Sequence, residues 1–91
     1  AFDWDDVGEW SAIARHVPRD GNQNSTQGDV MLRESRNTLS VAHEGHTIAL
    51  LGVEDLIVVT TPDATLVCHR DHAQNIKKLV QDLQDDRAHL L

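Results

Sequence analysis

The sequence predicts a small α+β domain in which five short strands lie between an N-terminal and a C-terminal helix. Apolar residues recur at helical spacing near both ends of the chain, and short β-branched and aliphatic runs fill its middle. Turn residues separate these runs. The length of 91 residues allows one small domain with a single core.

The first predicted helix covers residues 6–17, where apolar side chains recur every three or four positions. Asp6 and Glu9 have the spacing of a capping box, in which each carboxylate binds a free backbone N–H group of the first turn. Pro18 ends the helix, because the residue before a proline is displaced from the α region.

Residues 19–28 are predicted to form a mobile polar loop. The segment has no apolar side chain and contains two glycines, so burial cannot offset the entropy lost on ordering. It includes the formal glycosylation sequon Asn24-Ser25-Thr26, which we expect to be unused in a cytosolic chain.

Five strands are predicted from residue 29 onward, at intervals of eight or nine residues. They cover residues 30–32, 38–41, 47–51, 56–61 and 65–69. The last three are nearly continuous apolar runs, which predicts burial on both faces. The intervals are less regular than a hexapeptide repeat, so a long solenoid is not expected.

A second helix is predicted over residues 71–86, with Asp71 as its N-cap. Its apolar stripe consists of Ile76, Leu79, Val80 and Leu83. We expect this stripe to pack on the sheet.

The charge of the chain excludes several classes of partner. Lys and Arg number 8 against 15 Asp and Glu, which gives a formal net charge of -7. Nucleic acid and anionic membranes attract basic surfaces, so neither is expected as a partner. No apolar run approaches the roughly 18 residues of a membrane span. The single cysteine excludes an internal disulfide framework and fits a reducing, cytoplasmic compartment.

The residues that most often carry chemistry lie without a catalytic context. His43, His46, His69 and His72 flank turns and are interpreted as surface residues, while Cys68 is interpreted as a small buried hydrophobe. The chain has no glycine-rich phosphate-binding loop and no nucleophile elbow. It is therefore not expected to bind and turn over a nucleotide by itself.

The acidic N-terminal segment is the one candidate for a ligand site. Phe2, Trp4 and Trp10 are the only aromatic residues, and they lie among four carboxylates. Exposed rings of this kind are usually covered, which favours a piece of a longer protein. The carboxylates could hold a divalent cation, or they could cap the helix and stay solvated. The residues alone leave both open.

Residues 2–10 follow the pattern F-x-W-x-D-V-G-x-W, which resembles a segment of bacterial mannose-1-phosphate guanylyltransferases, also called GDP-mannose pyrophosphorylases. Further similar segments follow in the same order at residues 28–30, 35–38, 52–59, 61–67 and 73–77. The resemblance covers the chain apart from the polar loop and the last few residues.

This resemblance implies the C-terminal region of such an enzyme. Residues 1–18 would be the end of the Rossmann-like nucleotidyltransferase domain, with its metal-motif segment and a helix. Residues 19–28 would be the mobile polar loop. Residues 29–91 would be the C-terminal domain, a short left-handed β-helix followed by a helix, which takes part in subunit contacts and makes a homodimer the expected state.

The family reaction joins GTP and mannose 1-phosphate to give GDP-mannose and pyrophosphate, with Mg²⁺ as cofactor. By similarity, Asp6 is a metal ligand and Gly8 allows the backbone to approach the sugar phosphate. GTP and mannose 1-phosphate would bind through the missing domain, so the 91-residue chain is expected to be inactive alone. Two alternatives stay open: a stand-alone oligomerisation or regulatory module, and part of another sugar-nucleotide pyrophosphorylase.

Overall fold

A computed structural model describes residues 19–62 and 64–86 of the chain. Its strands are β1 (Ser25–Gln27), β2 (Asp29–Arg33), β3 (Leu39–Val41), β4 (Thr47–Leu51), β5 (Leu56–Thr60) and β6 (Thr65–His69). A 3₁₀ segment (Arg70–Asn75) and helix α1 (Ile76–Asp86) follow. The helix predicted over residues 6–17 lies outside the described residues.

The first five strands wind as the sides of a β-helix. β1, β3 and β5 are parallel neighbours in one sheet, and β2 and β4 are parallel neighbours in a second sheet. Residues stacked on each other between the two turns are 18 positions apart, as in the contacts of Thr47 with Asp29 and of Arg36 with Glu54. The repeat that the strand intervals did not reveal is therefore present in the structure, over two turns.

At the end of the β-helix, a further strand extends the first sheet, but no described strand extends the second. β6 does not continue the parallel stack but pairs antiparallel with β5, so that Ile57 lies opposite Cys68. The first sheet therefore has the order β1-β3-β5-β6, while the second sheet stops at β4.

Two apolar clusters lie on opposite faces of the first sheet. One lies between the sheet and α1 and consists of Leu39, Val41, Ile57, Val59, Leu66, Ile76 and Val80. The other fills the interior of the β-helix and consists of Ala42, Ile48 and Val58, with partly buried Val30, Leu50 and Leu56. α1 therefore covers one face of the first sheet, and β2 and β4 cover the other.

Burial on both faces is confirmed for β5 and wrong for β4 and β6. The three central residues of β5 are buried, whereas exposure alternates along β4 and β6. Leu51 is 71% exposed and Val67 is 57% exposed. β5 is the only one of the three with clusters on both sides, because β4 has solvent outside the β-helix and β6 lies beyond the last turn.

The prediction of a loop over residues 19–28 is wrong for its second half, which contains β1. Asn24 and Ser25 are buried although both are polar. The Asn24 amide donates to the Ser35 carbonyl (2.9 Å) and accepts from the Thr38 backbone N–H (3.0 Å). Hydrogen bonds to a distant turn thus order the segment where apolar burial cannot. The same bonds leave the Asn24 amide buried and engaged, which fits the expectation of an unused sequon.

The C-terminal helix begins differently from the prediction. His69, not Asp71, is the N-cap: its Nδ1 accepts from the Asp71 backbone N–H (3.0 Å) at the start of the 3₁₀ segment. In the predicted stripe Ile76 and Val80 are buried, while Leu79 is 44% exposed. Within the described part of the chain, no helix is long and apolar enough to cross a membrane.

Gly28 joins β1 to β2 at a point of close approach, which leads to a testable prediction. Its φ is +85°, and an added Cβ would lie 2.4 Å from the Ala42 carbonyl oxygen. Gly45 has a φ of +86° but open space around it. Gly28→Ala should therefore lower the free energy of unfolding by about 1–2 kcal/mol more than Gly45→Ala, because only the first adds a backbone clash to the positive-φ cost. Urea unfolding of both variants measures the difference, and equal losses would contradict the clash.

Candidate functional site

The two predicted site residues, the metal ligand Asp6 and the substrate-binding Gly8, lie outside the described residues. The described part of the chain is therefore the place to look for further chemistry. It offers five features: pairs of histidines, one cysteine, a polar corner of the β-helix, a polar turn around Asp20 and an outer cleft.

The histidines form two loose pairs on the surface. The rings of His43 and His46 are 5.8 Å apart, and those of His69 and His72 are 6.5 Å apart. His43 is half-buried and the other three are exposed. Among residues 19–62 and 64–86, no three His, Cys, Asp or Glu side chains are grouped so that they could hold a metal ion. Three of the four histidines therefore lie at the surface, as the sequence predicts.

Cys68 is a half-buried thiol on β6 that packs against the cluster under α1. Burial raises the pKa of the Cys68 thiol. A raised pKa keeps the sulfur protonated and weakens it as a nucleophile. The side chain therefore behaves as the small hydrophobe that the sequence predicts.

The most connected polar group is a stacked corner that we call the polar corner, formed by Asn37, Asp55 and Arg70. Asn37 and Asp55 have left-handed φ values of 48° and 62°, a conformation that Asn and Asp tolerate better than most residues. The Asn37 amide donates to Asp55 Oδ1 (2.7 Å). Arg70 completes the stack, because its backbone N–H donates to the Asp55 carbonyl (2.7 Å) and its Nε donates to the Asn37 carbonyl (2.7 Å).

Arg70 occupies the position that a third turn of the β-helix would take at this corner. Its Nη2 is buried and has no hydrogen-bond partner in the described part of the chain. Desolvation lowers the pKa of the Arg70 guanidinium, the nearby charge of Arg19 lowers it further, and Asp55 opposes both effects. The polar corner contains two groups of opposite charge, Asp55 and Arg70, and among the described residues it has no nucleophile beside a base.

A second polar turn lies below the polar corner, around Asp20. The Asp20 carboxylate accepts from the backbone N–H groups of Asn22 (2.8 Å) and Asn24 (2.9 Å). The bond from Asn24 is the main reason that the pKa of Asp20 is lowered, and desolvation acts against it. Because the carboxylate is engaged by its own turn, this arrangement has a structural role.

An open cleft of about 470 Å³ lies on the third side of the β-helix. It is lined by Asn22, Glu34, Ser35, Arg36, Gly52, Val53 and Glu54. Arg36 and Glu54 form an exposed ion pair across two turns, and the hydrogen bond and charge of Glu54 raise the pKa of Arg36. The Ser35 hydroxyl donates to the Arg33 carbonyl (2.9 Å), so it has no base to activate it. The cleft has no catalytic constellation.

Sequence analysis missed the polar corner. One signal could have found it: Asn37 and Asp55 are 18 positions apart, Asn37 lies two residues before β3, and Asp55 lies directly before β5. Arg70 gave no such signal, because it follows the last strand and reaches the corner only after β6 has reversed direction. The described part of the chain is thus a scaffold, whose polar groups are used to hold its turns together.

The sequence of this scaffold matches a known domain. A family model described as the MannoseP isomerase/GMP-like beta-helix domain matches residues 28–83. The chain belongs to this family. The match covers β2 through most of α1, so the β-helix-like fold with a C-terminal helix is confirmed.

The relatives that this chain matches include alginate biosynthesis proteins and mannose-1-phosphate guanylyltransferases. The chain is 42% identical over 80 residues to the alginate biosynthesis protein AlgA of Pseudomonas aeruginosa, which covers 88% of this chain and 16% of AlgA. It is 40% identical over 85 residues to a mannose-1-phosphate guanylyltransferase of Escherichia coli, which covers 93% of this chain and 18% of that enzyme. These matches confirm the resemblance found in the sequence. The chain spans less than a fifth of the length of these relatives.

A solved structure shares the fold. The chain is similar to a structure from Thermus thermophilus, described as a mannose-1-phosphate geranyltransferase, with a TM-score of 0.71 and 27% identity. The similarity covers 87% of this chain and 24% of that chain. In this structure too, the β-helix domain corresponds to a minor part of a larger protein.

Proposed function

We propose that this β-helix domain is the C-terminal part of a mannose-1-phosphate guanylyltransferase, which converts GTP and mannose 1-phosphate into GDP-mannose and pyrophosphate. The observation that carries the proposal is the 40% identity to the Escherichia coli enzyme of that name, which extends over 85 of the 91 residues. The family model supports it independently through residues 28–83.

The chemistry of this proposal is assigned to the N-terminal segment and to a preceding nucleotidyltransferase domain. Asp6 would be one carboxylate ligand of Mg²⁺, and Gly8 would let the backbone approach the sugar phosphate. When bound, the ion neutralises charge on the phosphates. The carboxylate that completes the site with Asp6 would come from the preceding domain. GTP and mannose 1-phosphate would be held by the preceding domain.

The role proposed for the β-helix is domain packing and homodimerisation in the cytoplasm. Three features support it: an aliphatic cluster on each face of β5, a polar corner that is bonded internally, and apolar side chains left exposed. Exposed apolar side chains of this kind are typical of a surface that contacts another domain or subunit.

The proposal is tested by comparing the 91-residue chain with the complete polypeptide of which it would be the C-terminal part. Pyrophosphate release is measured with GTP, mannose 1-phosphate and Mg²⁺. We expect turnover by the complete polypeptide and none above background by the 91 residues alone. Activity of the complete polypeptide with only a different nucleotide or sugar phosphate would overturn the substrate assignment. Turnover by the 91-residue chain alone would overturn the assignment of substrate binding to a preceding domain.

A further inference from the structure

Among the described strands, β4 is paired along one edge only, at the point where the β-helix ends. One edge of β4 pairs with β2, and among the described residues no strand pairs with the other. The 18-residue repeat would bring Thr65 next to Thr47, but β6 pairs antiparallel with β5 instead. β4 has the sequence TIALL, without the charge, proline or bulge that usually protects an exposed edge.

The hydrogen bonds of β4 fix which backbone groups its free edge presents. The Gly52 N–H donates to the Arg33 carbonyl at the end of the β2–β4 ladder. Since backbone groups of alternate residues point to opposite edges of a parallel strand, Ile48 and Leu50 also face β2. The N–H and C=O groups of Thr47, Ala49 and Leu51 therefore point away from it. The side chains of these three residues are exposed as well.

We propose that β4 pairs antiparallel with β4 of a second copy of this chain, around a two-fold axis at Ala49. The inference rests on the proposed assembly role and names the surface that performs it. In this register Ala49 pairs with itself, and Thr47 of each copy pairs with Leu51 of the other. Every backbone group on the free edge then has a partner, in about six hydrogen bonds. Shifting the register by one residue would bring inward-facing groups into the pair and lose these bonds.

The side chains and charges around β4 fit the same register. Ala49 is small, so two copies meet at the axis without a clash, and each exposed Leu51 is covered by Thr47 of the second copy. On β2, Asp29 lies beside Thr47 and Arg33 lies beside Leu51. The two-fold axis therefore places Asp29 of one copy in the same cross-strand row as Arg33 of the other. A parallel pairing would instead align like charges.

The size of this contact predicts a reversible dimer. A five-residue strand is about 17 Å long, and such a contact is smaller than the roughly 800 Å² per partner of a standard stable interface. The net charge of -7 on each copy also opposes association. The dimer should therefore strengthen when salt is raised from about 20 to about 300 mM, where charge repulsion is screened.

Charge-swap variants at the axis test the register in the 91-residue chain. Ala49→Lys and Ala49→Glu each place two like charges directly opposite one another, which opposes pairing. Mixing the two variants makes the charges complementary. We expect each variant alone to dissociate at least about tenfold more readily than wild type in analytical ultracentrifugation, and the equimolar mixture to recover the dimer. The controls are Gln81→Lys and Gln81→Glu, which add the same charges at an exposed position of α1, on the side of the first sheet away from β4, and should leave dimerisation unchanged.

The outcomes separate this inference from the proposed function. If wild type stays a monomer at millimolar concentration, both the assembly role of the chain and the β4 contact are wrong. If wild type dimerises and the Ala49 variants dimerise equally well, the assembly role stands and the β4 contact is wrong. If both variants are monomeric and their mixture does not recover, the two-fold register is wrong.

Hydrogen exchange on the wild-type chain gives a readout that does not depend on a variant folding. Amides of Thr47, Ala49 and Leu51 should become protected as protein concentration rises, because they gain partners only in the dimer. The amides of Ile48 and Leu50, already bonded to β2, should be protected at every concentration. Concentration-independent exchange at all three outward amides in a dimeric sample would overturn the proposal.

Discussion

Asp6→Asn in the complete polypeptide, tested as the proposed guanylyltransferase, is expected to lower kcat/KM for pyrophosphate release by about 10²-fold or more. The physical reason is the loss of one anionic ligand of the proposed Mg²⁺. A bound metal ion stabilises the charge on the phosphates in the transition state by several kcal/mol. Asn keeps the shape of the side chain and still caps a helix, so the fold should be retained. Steady-state kinetics with GTP and mannose 1-phosphate measure the effect, and circular dichroism checks the fold.

Asp3→Asn is the matched control for this prediction. Asp3 lies in the same acidic segment, but it has no counterpart in the F-x-W-x-D-V-G pattern, and we expect it to be solvated. Its kcat/KM should stay within about twofold of wild type. Raising the Mg²⁺ concentration should recover part of the activity lost in Asp6→Asn and should leave Asp3→Asn unchanged. Equal activity of the Asp6 variant and wild type would mean that Asp6 is not a metal ligand and only caps the predicted helix.

Val59→Ala is expected to lower the free energy of unfolding of the 91-residue chain by about 2–3 kcal/mol. Val59 is 0% exposed and lies in the cluster between the first sheet and α1. Removing two buried carbons costs their transfer free energy and leaves a cavity, because β5 is held from both sides and cannot collapse onto it. For a domain of ordinary stability this is a large share of the total.

Val67→Ala provides the same chemical change on the neighbouring strand. Val67 is 57% exposed, so its variant should lose less than about 0.5 kcal/mol. Urea unfolding of both variants, at a concentration where the chain is monomeric, gives the comparison. Similar losses at the two positions would mean that β6 is covered in solution, which would contradict the exposure found for Val67.

The apolar strands show how much of the fold could be predicted from local sequence. The predicted strands at 47–51 and 65–69 have the observed bounds of β4 and β6, and the other three agree within one or two residues. β-Branched and aliphatic runs between turn residues have few other stable arrangements. β1 was missed because its sequence, STQ, is polar, and hydrogen bonds of Asn24 to residues 11 and 14 positions away order it.

The candidate site divides in a similar way. Asp6 and Gly8 were predicted from a contiguous motif, and they stay predictions because they lie outside the described residues. The polar corner was not predicted, since Asn37, Asp55 and Arg70 meet only when two turns stack and β6 reverses. His69 was likewise predicted as a surface residue without a role, and its capping of the 3₁₀ segment depends on the chain direction after β6.

The sequence by itself thus determined the element types, the aliphatic core and the family, because each depends on residues that are close together in the chain. Only the tertiary structure decided the 18-residue stacking, the antiparallel turn of β6 and the edge of β4 that no described strand pairs with. The backbone N–H and C=O groups of one strand can find partners in either a parallel or an antiparallel pair. The choice between them depends on which distant strand is already in place.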